Sequence, residues 1–193
     1  IDLSRMNRVV AIDADSMTVT VEAGATWKAI DQALAQRGLR LPFFGTFSGA
    51  GATVGGGLSH GALFFGSARH GSAADIVLSM DVVLADGRVM RTGQGALKAA
   101  HHPVFRGLGP DLTGLFLHDG GAFGIKSRAT LRVIQRPRHT GHASFAFAAL
   151  DDAVRALRSA IANNPESAAR RADLGEALAA AAGGVVTTDA KSE

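Results

Sequence analysis

Apolar and polar residues alternate with period two from Val9 to Ile12 and again through Thr18-Val19-Thr20-Val21-Glu22, and Asp13, Asp15 and Ser16 between them supply turn chemistry. The pattern predicts a hairpin. Thr26 then stands where a helix cap belongs, Trp27, Ile30 and Leu34 recur at helical spacing, and Gly38 follows as a left-handed terminator, so a helix is expected from Trp27 to Arg37. A second hairpin is expected where the run Ile76 to Ala85 meets Asp86-Gly87 and returns through Arg88 to Arg91. Lys98 to Pro110 reads as an irregular loop and Asp111 to Leu117 as a short helix. Ile125 to Ile134 reads as a half-buried strand, with Ala129, Leu131 and Val133 on one face and Arg128, Thr130 and Arg132 on the other. Beyond Arg136-Pro137-Arg138 the pattern predicts a strand from Ala143 to Ala148 and a helix from Asp151 to about Asn163 with an apolar stripe of Val154, Leu157 and Ile161. The proline-marked basic segment suggests a domain boundary near Pro137, dividing residues 1–137 from residues 138–193.

Between Pro42 and Gly71 the alternation disappears. Glycine makes up 24 of the 193 residues, about 12 % against a usual ~7 %, and the excess gathers here, interleaved with phenylalanine and free of formal charge until Arg69. Such density argues against any regular element, and the apolar character argues against a solvated linker. The segment reads as backbone lying close against something buried, and a second cluster, Gly120, Gly121 and Gly124, precedes the last long strand.

Composition narrows the chemistry. The absence of cysteine excludes disulfides, thiolate metal sites, thiol nucleophiles and cysteinyl cofactor links, and fits a reducing compartment, so a soluble, cytoplasmic chain is expected. No apolar run reaches the ~20 residues of a bilayer span. A net charge of +3 without a basic run gives no nucleic-acid footprint. No serine, histidine and acid order or paired carboxylate supports hydrolysis. The chain opens on Ile1 inside a patterned segment, which reads as a piece of something longer.

The glycines invite a dinucleotide fingerprint, but Gly49, Gly51 and Gly55 are one residue off the required spacing, and Gly55-Gly56-Gly57 argues against the helix that a nicotinamide-binding unit would open there. A different match is more specific. Thr53-Val54-Gly55-Gly56-Gly57-Leu58-Ser59-His60-Gly61, Gly66-Ser67-Ala68-Arg69-His70-Gly71, Ala74-Asp75-Ile76-Val77 and Asp81-Val82-Val83-Leu84-Ala85-Asp86-Gly87 follow in order, and Gly109 to Phe116 and Asp119 to Lys126 come after them. Asp2 to Asn7 leads in. Together these blocks resemble the second FAD-binding subdomain of the vanillyl-alcohol-oxidase and p-cresol-methylhydroxylase (PCMH-type) superfamily, in the FAD-linked oxidase branch that includes D-lactate and glycolate oxidising flavoproteins.

The resemblance covers about residues 1–150. It implies an α+β fold, a mixed and largely antiparallel sheet flanked by helices, followed by the start of an α+β substrate or cap domain. It implies FAD as cofactor, a small-molecule substrate, and hydride removal from the CH–OH carbon of a 2-hydroxy acid or related alcohol. An alternative is an orphan flavin-domain fragment that cannot bind FAD alone, because the N-terminal pyrophosphate-binding subdomain is expected to be missing. The cofactor contacts implied are Phe47, Ser48, Gly49, Ala50, Gly51, Ala52 and Thr53 in a first loop, with Gly55 and Gly56 after it. His60, Gly61, Ala62 and Leu63 form a second loop, joined by His70 and Gly71. The third is His118, Asp119, Gly120, Gly121, Ala122, Phe123, Gly124 and Ile125. Glycine there would let backbone approach a flat ring or a phosphate, with N–H groups facing negative charge.

Departures from the family matter too. There is no tyrosine, and His70 stands where many relatives carry one; Asp119-Gly120-Gly121-Ala122 replaces Ser-Glu-Gly-Thr, so no glutamate role transfers. His60 and His70 can contact the ring, donate to it or carry a covalent link, though a loop histidine bonded to backbone is the plainer reading. His101-His102 and His139 with His142 read as solvated loop residues rather than metal ligands. Arg69 can pair with a phosphate or with Asp75. Lys126 and Arg128 read as strand-surface charges, and Asp119 as a loop cap in preference to a catalytic acid.

Overall fold

The computed structural model describes residues 1–42, 50–63, 66–99, 103–107, 109–138 and 145–163, with the side chains of Ala68, Arg69 and residues 160–163 left aside. Strand β1 (Val9–Asp13) turns into β2 (Thr18–Glu22) through an Asp13 carboxylate that accepts from the N–H groups of Asp15 and Ser16 at 3.1 and 2.9 Å. This is the expected hairpin, closed by a side chain that mimics a backbone turn. Helix α1 (Trp27–Ala35) starts at Thr26, whose hydroxyl accepts from Ala29 N at 3.2 Å, and Gly38 lies beyond it at φ +68°. Its Trp27, Ile30 and Leu34 are 3, 0 and 0 % exposed.

After β3 (Leu39–Arg40) comes α2 (Val54–His60), which runs through all three glycines of the triplet. The expectation that glycine forbids a helix there is overturned, and packing is the reason. Thr53 caps the helix, and Val54 N and Gly55 N donate to the carbonyls of Ala25 and Ala23 at 2.9 and 2.7 Å. A Cβ on Gly55 would lie 3.0 Å from that of Ala23, and one on Gly57 2.8 Å from the Trp27 ring. At Gly55 and Gly57 the roughly 1 kcal/mol that a glycine costs a helix is offset by an approach no larger residue permits.

A short helix α3 (Ser67–His70) and a 3-10 turn lead to β4 (Val77–Val83), which pairs through the Asp86-Gly87 turn with β5 (Val89–Arg91). Helix α4 (Leu112–Leu115) is capped by Asp111, and β6 (Ile125–Arg132) and β7 (Ile134–Gln135) end the first unit. The main sheet has the order β1-β2-β6-β4-β5, every pairing antiparallel, while β3 and β7 form a separate pair. Val19, Val21, Met80, Val82, Ala129 and Leu131 line its inner face and join Ile30, Leu34 and Leu58 in one core. This is the α+β architecture expected.

Three expectations on burial and structure are corrected. Lys126 is only 3 % exposed and Thr130 5 %, so the second face of β6 is not a plain solvated face. Thr130 instead meets Thr20 across the strands, hydroxyl to hydroxyl at 3.0 Å, and Lys126 is covered by an acid described below. The strand expected from Ala143 has no counterpart at residues 145–148, its earlier residues lying outside those described. Helix α5 (Leu150–Asn163) is present, but Val154 and Leu157 of its stripe are 38 and 60 % exposed. The chain divides into two compact units, Ile1–Arg136 and Pro137–Glu193, the second containing α5.

Candidate functional site

Of the first implied contact loop, Phe47, Ser48 and Gly49 lie outside the described residues, as do His101, His102, His139 and His142. Ala50 and Gly51 are exposed, and Ala52 is half-buried with its carbonyl accepting from Trp27 N at 3.2 Å. A bridge between Thr26 and Thr53 ties the starts of α1 and α2 together. Thr53 Oγ1 faces Gly56 N at 3.4 Å. The N–H groups of Val54, Gly55 and Gly56 are therefore engaged inside the protein, and the start of α2 cannot serve as a dinucleotide phosphate site. With no parallel strand pair in the described residues either, the nicotinamide reading lacks its fold.

The other end of α2 brings the second and third implied loops together. Gly61 adopts the left-handed conformation at φ +70°, and Ala62 N returns to Gly57 O at 2.9 Å, closing the helix. Its last carbonyls, normally orphaned, are taken by the distant loop: His118 N donates to Leu58 O and Gly120 N to Ser59 O, both at 3.0 Å. The His118 imidazole lies over Gly61, in the space a Cβ there would fill. His118 itself has φ +58°, an uncommon value for a residue with a side chain. His60, Leu63 and Phe123 are exposed around this junction, Leu63 and Phe123 by 71 and 58 %.

His70 and Gly71 are half-buried at the end of α3. Gly71, at φ +79°, sits against the Asp75 carboxylate, which accepts from Ser72 N at 2.7 Å and from Ser72 Oγ at 2.8 Å. Those Ser72 hydrogen bonds hold the Asp75 carboxyl below its ordinary range. Whether Arg69 reaches it lies outside the described side chains.

The third loop is organised by an ion pair that alternation in the sequence did not reveal. Asp119 Oδ1 lies 2.6 Å from Lys126 Nζ, and the two side chains are 0 and 2 % exposed. The same carboxylate accepts from Gly121 N at 2.9 Å and Phe123 N at 3.4 Å. Burial pushes the Asp119 carboxyl up, but the Lys126 ammonium and the two N–H groups outweigh it, and the net displacement is downward. Asp119 is thus a loop cap, as favoured, while Lys126 is no surface charge. An acid and a lysine flanking the Gly120-Gly121 pair were the available signal.

The fit to a flat cofactor rests on bare backbone. Gly51, Gly120 and Gly121 have open space where a Cβ would stand, and all three are exposed. Positive φ accounts for the latter two, at +60° and +81°, but Gly51 has no such requirement. Because the N–H groups of His118, Gly120, Gly121 and Ala122 all have partners within the protein, this loop would meet a ring with close backbone rather than with those donors.

Comparison with known proteins places this geometry. Residues 1–93 match the family described as FAD binding domain. The chain is 35 % identical over 153 residues to the mitochondrial D-lactate dehydrogenase (cytochrome) of Arabidopsis thaliana, covering 79 % of this chain and 25 % of that protein. It is 30 % identical over 132 residues to glycolate oxidase subunit GlcD of Bacillus subtilis, covering 68 % of this chain and 26 % of that one. A solved structure of alkyldihydroxyacetonephosphate synthase superposes with a TM-score of 0.69 at 23 % identity, over 84 % of this chain and 28 % of the other, which shows the fold. The chain spans about a quarter of the length of these relatives. Residues 1–93 thus belong to the FAD binding domain family, of PCMH type, and the chain is similar to FAD-linked dehydrogenases and oxidases.

Proposed function

We propose that this chain forms the ring-facing part of the FAD site in an oxidoreductase acting on the CH–OH carbon of a 2-hydroxy acid or related alcohol. The observation that carries the site is the docking of His118 and Gly120 onto the carbonyl end of α2, which sets two glycine-bearing loops side by side. The substrate class follows the D-lactate and glycolate relatives. Bound FAD supplies the hydride acceptor. The chain's own residues do the positioning: Gly51, Gly120 and Gly121 leave room for a planar ring, and Leu63 and Phe123 offer apolar surface that keeps water from its edges. Phe47, Ser48 and Gly49, outside the described residues, belong to the same contact set. Residues 1–137 are read as the FAD-binding domain and 138–193 as the beginning of a substrate or cap domain.

Among the described residues no helix is long and apolar enough to cross a membrane. A cytoplasmic location rests on the lack of cysteine; the Arabidopsis relative is a mitochondrial protein by name.

A second reading, a flavin-domain scaffold that cannot hold FAD alone, is favoured by one observation. The first N–H groups of α2 and most of those in the third loop are engaged internally, so diphosphate contacts must come from elsewhere. Titrating FAD into the chain and following flavin fluorescence separates the two: micromolar or tighter binding removes the scaffold reading. The chain supplied together with the FAD-domain segments of a relative that it does not span should show a bound visible flavin band. A folded sample without that band overturns the flavin reading.

A further inference from the structure

The ion pair between Asp119 and Lys126 is the feature that the flavin reading leaves unused. Removing two charges from water is costly, and their attraction offsets this only with good geometry and further hydrogen bonds. The further bonds here all converge on one turn. Asp119 Oδ1 takes Lys126 Nζ and Gly121 N, Oδ2 takes Phe123 N, and the Asp119 carbonyl takes Ala122 N at 3.0 Å. Residues His118, Gly120 and Gly121 have φ of +58°, +60° and +81°, so neither a helix nor a sheet ladder holds this stretch. At its far end a Cβ on Gly124 would lie 2.5 Å from Val82 Cγ1, so the loop rejoins the sheet in close contact with β4. Lys126 pairs with Val82 in the β4–β6 register and fixes the carboxylate to the most central part of the fold.

We propose that Asp119 and Lys126 form a positioning pair that holds residues 118–124 in the single shape offered to the ligand, with Asp119 taking no part in proton transfer. The identity of the ligand rests on the flavin reading; the positioning role does not. A carboxylate tied to a buried ammonium and two backbone N–H groups has three of its roughly four acceptor positions taken, and at 0 % side-chain exposure it does not reach a substrate. What it controls is the path of the bare backbone at Gly120 and Gly121.

The test compares Asp119→Asn, Lys126→Met, Lys126→Arg and the double variant Asp119→Leu/Lys126→Met by amide hydrogen exchange, thermal melting and FAD titration. Either single neutral substitution leaves one buried charge without its partner, so melting falls, and exchange at Gly121 and Phe123 rises about tenfold beyond what the loss of global stability predicts. The double variant carries no buried charge at this turn and recovers most of the melting temperature, yet exchange in the turn stays fast and FAD binds at least about tenfold more weakly. Lys126→Arg keeps a cation for the carboxylate and restores slow exchange in the turn. The proposal is overturned if turn exchange merely tracks global stability, or if the double variant regains FAD affinity along with melting temperature. A wild-type chain that binds no FAD, even with the complementary segments, removes the flavin reading, and the exchange comparison still decides the positioning role.

Discussion

Alanine at each position of the Gly55, Gly56 and Gly57 run has a different expected consequence, although all three lie in one stretch of α2. Alanine gains about 1 kcal/mol over glycine inside a helix, part of it by restricting the unfolded chain. At Gly56, which is exposed, the nearest atom to a new Cβ is Thr53 Oγ1 at 3.4 Å, so the gain stands nearly unopposed and the chain becomes about 0.5–1 kcal/mol more stable. At Gly57 the Cβ would meet Trp27 Cζ2 at 2.8 Å and Nε1 at 3.0 Å, and the indole, only 3 % exposed, cannot swing away. Overpacking of about 1–3 kcal/mol then exceeds the propensity gain. At Gly55 the obstacle is backbone, with Ala23 O at 3.1 Å, and this carbonyl also accepts from Gly55 N at 2.7 Å. Relief there would stretch the hydrogen bond that seats the helix, so a net loss of about 1–2 kcal/mol is expected. Urea unfolding followed through Trp27, the single tryptophan, measures all three. If Gly56→Ala lowers the midpoint as much as Gly57→Ala does, the packing argument fails. Stabilisation by all three would mean that α2 does not rest on Ala23 and Trp27.

Other expectations follow from the same contacts. Gly61→Ala forces a side chain into a left-handed position, about 1–2 kcal/mol, and displaces His118, so it should weaken FAD binding more than a stability loss of that size explains; unchanged affinity would separate the two loops. Thr92→Val leaves Met80 N and the Thr113 hydroxyl without the buried oxygen they share at 2.9 and 2.8 Å, costing about 2 kcal/mol in urea unfolding. Acid should destabilise the chain in a defined window. Hydrogen bonds from Arg8 lower the Glu22 carboxyl, those from Ser72 lower Asp75 and those from Arg106 lower Asp111, while Lys126 and two N–H groups lower Asp119 against its burial. Depressed carboxyls give stability that is complete above the ordinary carboxylate value of about 4 and is lost as pH falls through the lower folded values. A melting temperature that stays flat well below that value would contradict these pairings.

The hairpins and α1 were legible because their signals are local: period-two alternation, Asp86-Gly87 at a turn, Thr26 at a cap. Helix α2 was not, since its stability comes from Ala23, Ala25 and Trp27, contacts that glycine permits but no window around the triplet displays. Lys126 was misread for a related reason. Strand alternation grouped it with Arg128 and Arg132, but a register irregularity between Asp81 and Val82 and the fold of the preceding turn enclose it with Asp119. The candidate loops were found through family likeness. That residues 61 and 118 meet is tertiary information, carried by carbonyls at a helix end rather than by any pattern along the chain.

Strand β6 is the last of the five sheet strands in sequence, yet it stands at the centre, between β2 and β4. Val19 must therefore wait for Leu131, and Met80 for Ala129. During synthesis the two hairpins can form early, but each presents an open edge to the same strand until residue 132 has left the ribosome. Such non-local pairing makes folding slow, and an unpaired edge is the surface on which chains associate wrongly. The interval before β6 arrives is thus when this chain is most exposed to aggregation, and mutations that loosen β6 should lower soluble yield before they lower the melting temperature of what has folded.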